Sequence, residues 1–265
     1  MTGWLFVILG ALMVGITKSG FGSGAGLMIV PITLLGTHYL GWENKAALAM
    51  ILPLLCFGDI IAAWQHRAHF DRRIVGRLLP GSLLGVVAGS LLLRWFNHQR
   101  QQVAEAMVNL DVGFESVVLV GLHWYRLWRA RGQLPLFRPG FARTSVVGLF
   151  AGLSSTMAHA AGPIIALHLL PQRMPRRVYV GTCAIYFLVV NGCKFPGYVA
   201  ADMFTGNVLL SALRFCPLVL VGAMLGVAIN KRISDQMFSA VVYALAFGTG
   251  WYILFKGIAQ LSGHW

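Results

Sequence analysis

The sequence predicts an all-α polytopic membrane protein: two inverted repeats of about five segments each, every repeat opening on a broken, hairpin pair of short helices. Three observations predict it. Only 11% of the 265 residues are charged and 57% are hydrophobic, whereas a soluble domain carries about 25% charged residues. Apolar stretches recur along the whole chain, at 46–64, 78–93, 178–194, 209–229 and 238–255, close to the ~20 residues that cross a bilayer. The third observation is that two blocks of small residues occur twice at nearly one spacing.

Pro80, Gly85 and Gly89 return as Pro217, Gly222 and Gly226, an offset of 137. The stretch 15–26 holds Lys18, Ser19, Gly20, Gly22, Ser23, Gly24 and Gly26. It aligns at an offset of 136 with 151–162, which holds Ser154, Ser155, Thr156, His159 and Gly162. Single glycines and prolines recur by chance in membrane helices, but two blocks at one spacing point to internal duplication. The chain divides accordingly into a first transmembrane repeat, 1–123, an Arg-rich cytoplasmic linker, 124–139, and a second, inverted transmembrane repeat, 140–265.

Loop charge sets the direction of the second repeat. Were each opening segment a single crossing, the basic loop residues would split 10 against 8. Were each a hairpin that enters and returns, 14 would fall on one side, in the loops 65–77, 124–143, 171–177 and 230–236. Only Lys45, Arg94, Arg100 and Lys256 would fall on the other. Cytoplasmic loops carry the excess of Lys and Arg, so the hairpin arrangement is favoured. An odd number of segments per half then inverts the second half and puts both termini outside. Each opening stretch of about 34 residues would supply two helices of roughly 12–15 residues, about 18–22 Å long, meeting inside the ~30 Å core. This is the pattern of a multi-pass protein of a bacterial inner (plasma) membrane.

Composition also excludes function classes. The formal charge of +13 would suggest nucleic acid in a soluble chain, but here the arginines lie in short loops, so no nucleic-acid partner is expected. Cys56, Cys183, Cys193 and Cys216 lie in apolar stretches and read as small core residues, not as a disulfide framework or metal site. The N-terminal residues lack a basic leader and read as the first membrane segment. No nucleophile–base arrangement, P-loop or dinucleotide fingerprint is present, so neither an enzyme nor a cofactor is expected. The sequence does not set the oligomeric state, and a homodimer is compatible with it.

Paired repeats with interrupted helices are the sequence signature of a transport site near the bilayer midplane. A half-helix begun inside the membrane presents unpaired N–H groups and the positive end of its dipole, which suit an anion. The candidate binding residues are Lys18, Ser19, Gly22, Ser23, Gly24 and Gly26 in the first break, and Ser154, Ser155, Thr156, His159 and Gly162 in the second. Pro163 suits the first turn of a half-helix. Lys18 is the sharpest of these, because a lysine at mid-depth costs about 2.5–3.5 kcal/mol and needs a cavity or an anion to face. Its bland reading is a lysine that snorkels to an interface. Asn191 and Lys194 share a helix face, and Lys194 is read as either a site residue or an interfacial anchor. Asp59, Glu105, Asp111 and Glu115 lie in or near spans. Asp111 and Glu115, at i and i+4, are the candidate proton-coupling pair, with structural pairing to an arginine as the other reading. His66, His69 and Asp71 read as a solvated basic turn, too poor in ligands for a metal.

The glycine-rich break running into Gly26-Leu27-Met28-Ile29-Val30-Pro31, the Pro80–Gly89 helix and their repeats resemble the TauE/SafE family of sulfite exporters. The resemblance covers nearly the whole chain. It implies carriage of small sulfur-containing or organic anions, such as sulfite and sulfonates, and it maps the family's glycine motif onto Gly22, Gly24 and Gly26. The second copy maps onto the stretch ending Gly162-Pro163. The sequence departs from the pattern at Ala25 and in the Ala-rich run 158–162, which leaves the cargo open. The expectation is a secondary transporter that exports a small anion by alternating access, the anion lying between the two breaks. Proton-coupled uptake of the same anion class, or an anion channel, are the alternatives.

Overall fold

The computed structural model describes residues 2–22, 29–42, 44–97, 139–204 and 208–262, with twelve further positions between 106 and 129. Among the described residues the architecture is helical throughout. Helix α1 (Thr2–Ile16) continues as a π-turn (Thr17–Phe21), followed by α2 (Ile29–Tyr39), α3 (Asn44–Gln65) and α4 (Arg72–Asn97). The second part holds α5 (Phe141–Ala158), α6 (Gly162–Leu169), a 3-10 turn (Leu170–Gln172), α7 (Arg176–Ala200), α8 (Val208–Arg232) and α9 (Asp235–Leu261). Among the described residues five helices are long and apolar enough to cross a membrane: Thr2–Phe21, Ala46–Gln65, Arg72–Trp95, Arg176–Ala200 and Val208–Arg232.

The first two helices form an antiparallel pair. Gly3 lies against Gly36, and Gly10 against Thr33, so the chain returns after the break. The arms are less equal than the sequence suggests. Where two helices of 12–15 residues are expected, the π-turn carries the first arm unbroken from Thr2 to Phe21, while α2 has 11 residues. In the second pair α5 has 18 residues and α6 has 8. The physical reason is that Lys18 to Gly20, and Ser154 to Thr156, keep helical backbone bonding. The breaks begin only at Gly22 and at His159.

Each long arm packs on the fourth helix of the other half of the chain. A Cβ on Gly81 or Gly85 of α4 would strike the carbonyls of Ser145 or Leu149 in α5, and one on Gly148 or Gly152 would strike those of Leu78 or Ser82. In the same manner Gly15 of α1 meets the Val219 carbonyl, and Gly222 of α8 meets that of Leu12. The pair Gly89–Thr156 in one interface becomes Gly226–Gly20 in the other. Without a hydrophobic force between helices in lipid, small residues that let backbones approach supply the association. The Ser82 and Tyr186 hydroxyls, 2.8 Å apart, tie α4 to α7. Exposed apolar side chains such as Leu84, Val87, Leu91, Leu213, Met224 and Leu225 line the outer faces of α4 and α8.

The turns rich in arginine gather at one end. Asp71 caps α4 by accepting from the N–H groups of Arg73 (2.8 Å) and Ile74 (3.1 Å). Its own N–H donates to Thr182 of α7 at 2.9 Å. Arg176 donates to the Asn230 and Ile233 carbonyls at the end of α8, and Arg77 donates to Pro139 at 3.3 Å.

This packing gives a sharp contrast between two glycines. Gly222→Leu is expected to destabilise the protein by about 1–3 kcal/mol, because the new side chain meets backbone. Gly192→Ala, in open space, is expected to be neutral or to stabilise by up to about 1 kcal/mol from helix propensity. Thermal denaturation of both variants in detergent checks the pair. Equal behaviour would rule out the close contact.

Candidate functional site

The π-turn that ends the first arm closes with the Gly22 N–H donating to the Thr17 carbonyl at 2.8 Å. Gly22 has φ +72°, and a Cβ there would lie 3.2–3.3 Å from Cys183, Val180 and Tyr179, closer than ordinary contact, so both its conformation and its space suit glycine. The turn directs Lys18 inward. Its ammonium lies 2.8 Å from Asp59 Oδ1, in a pair whose aspartate is fully buried, and 4.3 Å above the Phe187 ring. Asn191 of α7 donates its amide to Asp59 Oδ2 at 2.6 Å. Three elements from both halves of the chain thus meet on one carboxylate.

The second break is built differently. Helix α5 ends at His159, which adopts left-handed backbone (φ 54°). The His159 N–H donates to the Ser155 carbonyl and the Ala160 N–H to that of Ser154. Lys194, on α7 one turn beyond Asn191, is fully buried. Its ammonium donates to the Ser155 carbonyl (3.0 Å) and faces the Ser155 hydroxyl (3.1 Å) and His159 Nδ1 (2.9 Å). An imidazole that accepts at Nδ1 carries its proton on Nε2, and Nε2 lies 3.1 Å from the Leu48 carbonyl of α3, which fixes the neutral tautomer. The Tyr198 hydroxyl donates to the Thr156 carbonyl at 2.8 Å.

Between these groups lies a cavity of about 30 Å³ lined by Lys18, Gly22, Ser155, His159, Gly162 and Asn191, together with apolar side chains. That is room for only a couple of water molecules. Gly162 opens α6, and Ile29 and Val30 are the first described residues of α2; all three line the cavity. The N-terminal ends of both short arms, which carry positive helix-dipole charge, therefore face it. Two lysines stand around one aspartate. Among the described residues the ion pair is Lys18–Asp59, and the hydrogen-bond partners of Lys194 are neutral.

The predicted residues separate into groups. Lys18, Gly22, Ser155, His159, Gly162, Asn191 and Lys194 come together. Ser23, Gly24, Gly26, Asp111 and Glu115 lie outside the described residues. Ser19 is buried in the π-turn with its hydroxyl unpartnered, and Thr156 bonds the Gly152 carbonyl within its own helix; neither lines the cavity. Ser154 is buried and contributes its carbonyl to the helix end. One expectation is corrected in kind. Ser19 and Ser154–Thr156 sit at the C-terminal ends of the long arms, which offer carbonyls, and not at half-helix N-termini. The two buried lysines are neither snorkelling nor interfacial anchors: Lys18 is 7% exposed and Lys194 0%. The basic turn is only partly solvated: His66 is half-buried, and burial pushes its imidazole below the usual 6.5.

Sequence reasoning missed Asp59 as a site residue, along with Phe187 and Tyr198. The expected all-donor environment contains a carboxylate. The available signal was an aspartate in the middle of an otherwise apolar span, which needs a buried cation.

A helical chain with several membrane-crossing segments and polar groups gathered at two interrupted helices defines a multi-pass membrane transporter. The sequence model of the sulfite exporter TauE/SafE family matches residues 7–253, and the chain belongs to that family. It is also 34% identical over 117 residues to a protein of Rhizobium meliloti (strain 1021) described as succinoglycan biosynthesis transport protein ExoT. That stretch is 43% of this chain, and it covers 23% of the relative. No solved structure matches the chain.

The buried ion pair makes a stability prediction. Lys18→Met alone leaves Asp59 without its cation and is expected to cost about 3–5 kcal/mol. The double variant Lys18→Met/Asp59→Asn is expected to recover most of that loss. Thermal denaturation of the single and double variants in detergent reads the coupling; additive losses would show that the two side chains do not interact.

Proposed function

We propose that this protein is a secondary transporter that exports a small anion of the sulfite or organosulfonate class by alternating access, the anion binding between the two helix breaks. The observation that carries the reading is the charge around the cavity: Lys18 in its wall, two helix N-termini facing it, and Lys194 bonded to the wall residues Ser155 and His159, against one carboxylate, Asp59, among the described residues. A monoanion is attracted by the excess. Lys194, whose partners are neutral, and Lys18, freed from Asp59, are the anchoring cations. Gly22, Ser155, His159, Gly162 and Asn191 supply the remaining wall, and Ser23, Gly24 and Gly26 belong to the same proposed site. For an uncoupled anion, an inside-negative potential favours exit by about 2.3 kcal/mol per charge per 100 mV.

The sequence repeats 1–123 and 140–265 are proposed to be inverted about a cytoplasmic linker, with both termini outside, in a bacterial inner membrane. Support comes from the antiparallel α1–α2 pair, from the reciprocal packing of each long arm on the other half, and from the gathering of the basic turns at one end. A second reading, proton-coupled uptake of the same anion class, draws on Asp59, the carboxylate paired with the cavity-lining Lys18. An open channel is disfavoured by the small volume between the lysines.

Efflux of sulfite from loaded proteoliposomes tests the site. Lys194→Gln is expected to lower flux about tenfold or more, since a hydrogen bond to a charged group contributes about 1.5–3 kcal/mol. Ser19→Ala, away from the cavity, is expected to leave it within about twofold, as an unpartnered hydroxyl makes no net bond to lose. Unchanged flux in a folded Lys194→Gln protein would refute the assignment. Orientation is tested separately: cysteines placed at positions 70 and 174 should label from the same, cytoplasmic face, and labelling from opposite faces would exclude the inverted arrangement.

A further inference from the structure

We infer that Asp59 is a proton-coupling residue: an anion that takes Lys18 displaces the Asp59 carboxylate, which then binds one proton from solvent on Oδ1. The inference rests on the reading above, that an anion binds at this cavity. Its geometric basis is the division of labour on Asp59. Oδ2 is held by Asn191 at 2.6 Å, whereas Oδ1 lies 2.8 Å from the Lys18 ammonium and makes no other bond among the described residues. Lys18 also lines the cavity. An anion seated there competes with Oδ1 for the same ammonium.

An anion that takes Lys18 leaves Asp59 Oδ1 without an ammonium beside it, because Lys194 is bonded to Ser155 and His159 instead. A buried carboxylate that loses its countercharge neutralises rather than remaining charged. The step is balanced: the Lys18–Asp59 pair opens, Lys18 pairs with the incoming anion, and an O–H bond forms on Oδ1 from a solvent proton. The new hydroxyl points toward the ammonium's former position, where it donates to the anion. Asn191 keeps its bond to Oδ2 throughout, so the side chain does not need to move far.

The neighbouring groups leave Asp59 as the receiver of the proton. Facing it are Lys18 from the π-turn, Asn191 and Lys194 from α7, and Cys56 from its own helix. Helix α8 brings the apolar Val219 to this face of α3, next to Gly58, and α2 brings Ile29 and Val30 to the cavity. His159, the remaining imidazole, has both ring nitrogens engaged. For a monoanion the loaded site then carries the same net charge as the empty one. Transport becomes electroneutral, and its direction follows the anion and proton gradients instead of the membrane potential. A cytoplasm that accumulates the anion beyond the opposing proton ratio still drives export.

The test is proton uptake on anion binding by the purified full-length protein in detergent. Methanesulfonate and nitrate serve as probes, because neither titrates near neutrality. Calorimetric titration in two buffers of different ionisation enthalpy reads the protons taken up per anion bound. The expected result is one proton for the wild type and none for Asp59→Asn, with binding of the anion retained. Anion binding without proton uptake by the wild type overturns the coupling and leaves the anion site standing. Uptake that persists in Asp59→Asn overturns the assignment to Asp59. Absence of binding by either probe overturns the coupling and the anion site together. The wild-type measurement decides the question even where the variant does not fold.

Discussion

The structure depends on satisfying helix ends inside an apolar interior. Each long arm stops short of a further turn and leaves carbonyls without intrahelical partners, and such groups cost several kcal/mol in lipid unless they find donors. The donors come from other elements. Tyr198 of α7 serves the Thr156 carbonyl and Lys194 adds a second donor to that of Ser155, and Asn230 of α8 serves that of Gly20. An interrupted helix in this protein is therefore a tertiary feature. It exists because other helices bring side chains to its end, α7 for the second arm and α8 for the first, and the polar wall of the cavity forms beside those ends from Thr17, Lys18, Ser155, His159 and Asn191.

That constraint explains why the charges are where they are. A lysine buried against a carbonyl at a helix C-terminus meets the negative end of the dipole, so Lys194 is held without a carboxylate. Lys18 sits within the π-turn and takes Asp59 instead. The two cations are stabilised by unlike means, one by an ion pair and one by neutral acceptors. A buried pair is sensitive to removal of either partner, whereas Lys194, on neutral acceptors, has no carboxylate to give up when a ligand arrives. The asymmetry between the breaks is thus electrostatic as well as geometric.

Much of this was legible in the sequence, for physical reasons. The span pattern, the doubled glycine blocks and the loop arginines are local or statistical signals, and they lead to the helical membrane fold and to Lys18, His159, Asn191 and Lys194. Asn191 and Lys194 share a face because three residues separate them on a helix, and that face turns inward. The rest was not legible because it depends on partners remote in the chain. Nothing near residue 18 announces that Asp59 will lie beside it, and nothing near Asp59 announces Asn191. The inequality of the arms was hidden as well. Glycine at position 20 and serine at 19 read as a break, yet a π-turn accommodates both and delays the interruption to Gly22. The consequence was an error of polarity, since the residues expected to offer N–H groups lie at carbonyl ends.

The packing units also cross the sequence repeats. The first hairpin packs with α3 and α8, while the second packs with α4 and α7. Lys18–Asp59 is internal to the first unit, and Lys194–Ser155–His159 is internal to the second. The cavity lies in the seam between them, where α3 meets α7. Among the contacts that bridge it are Asn191 to Asp59, His159 to the Leu48 carbonyl, and Phe187 under Lys18. All three are single contacts of modest strength, and none joins the two lysines. An anion between Lys18 and Lys194 would add the missing charged link across the seam, drawing one cation from each unit. In the proposed carrier such an anion would draw the two units together, and its departure would leave the seam without a charged link.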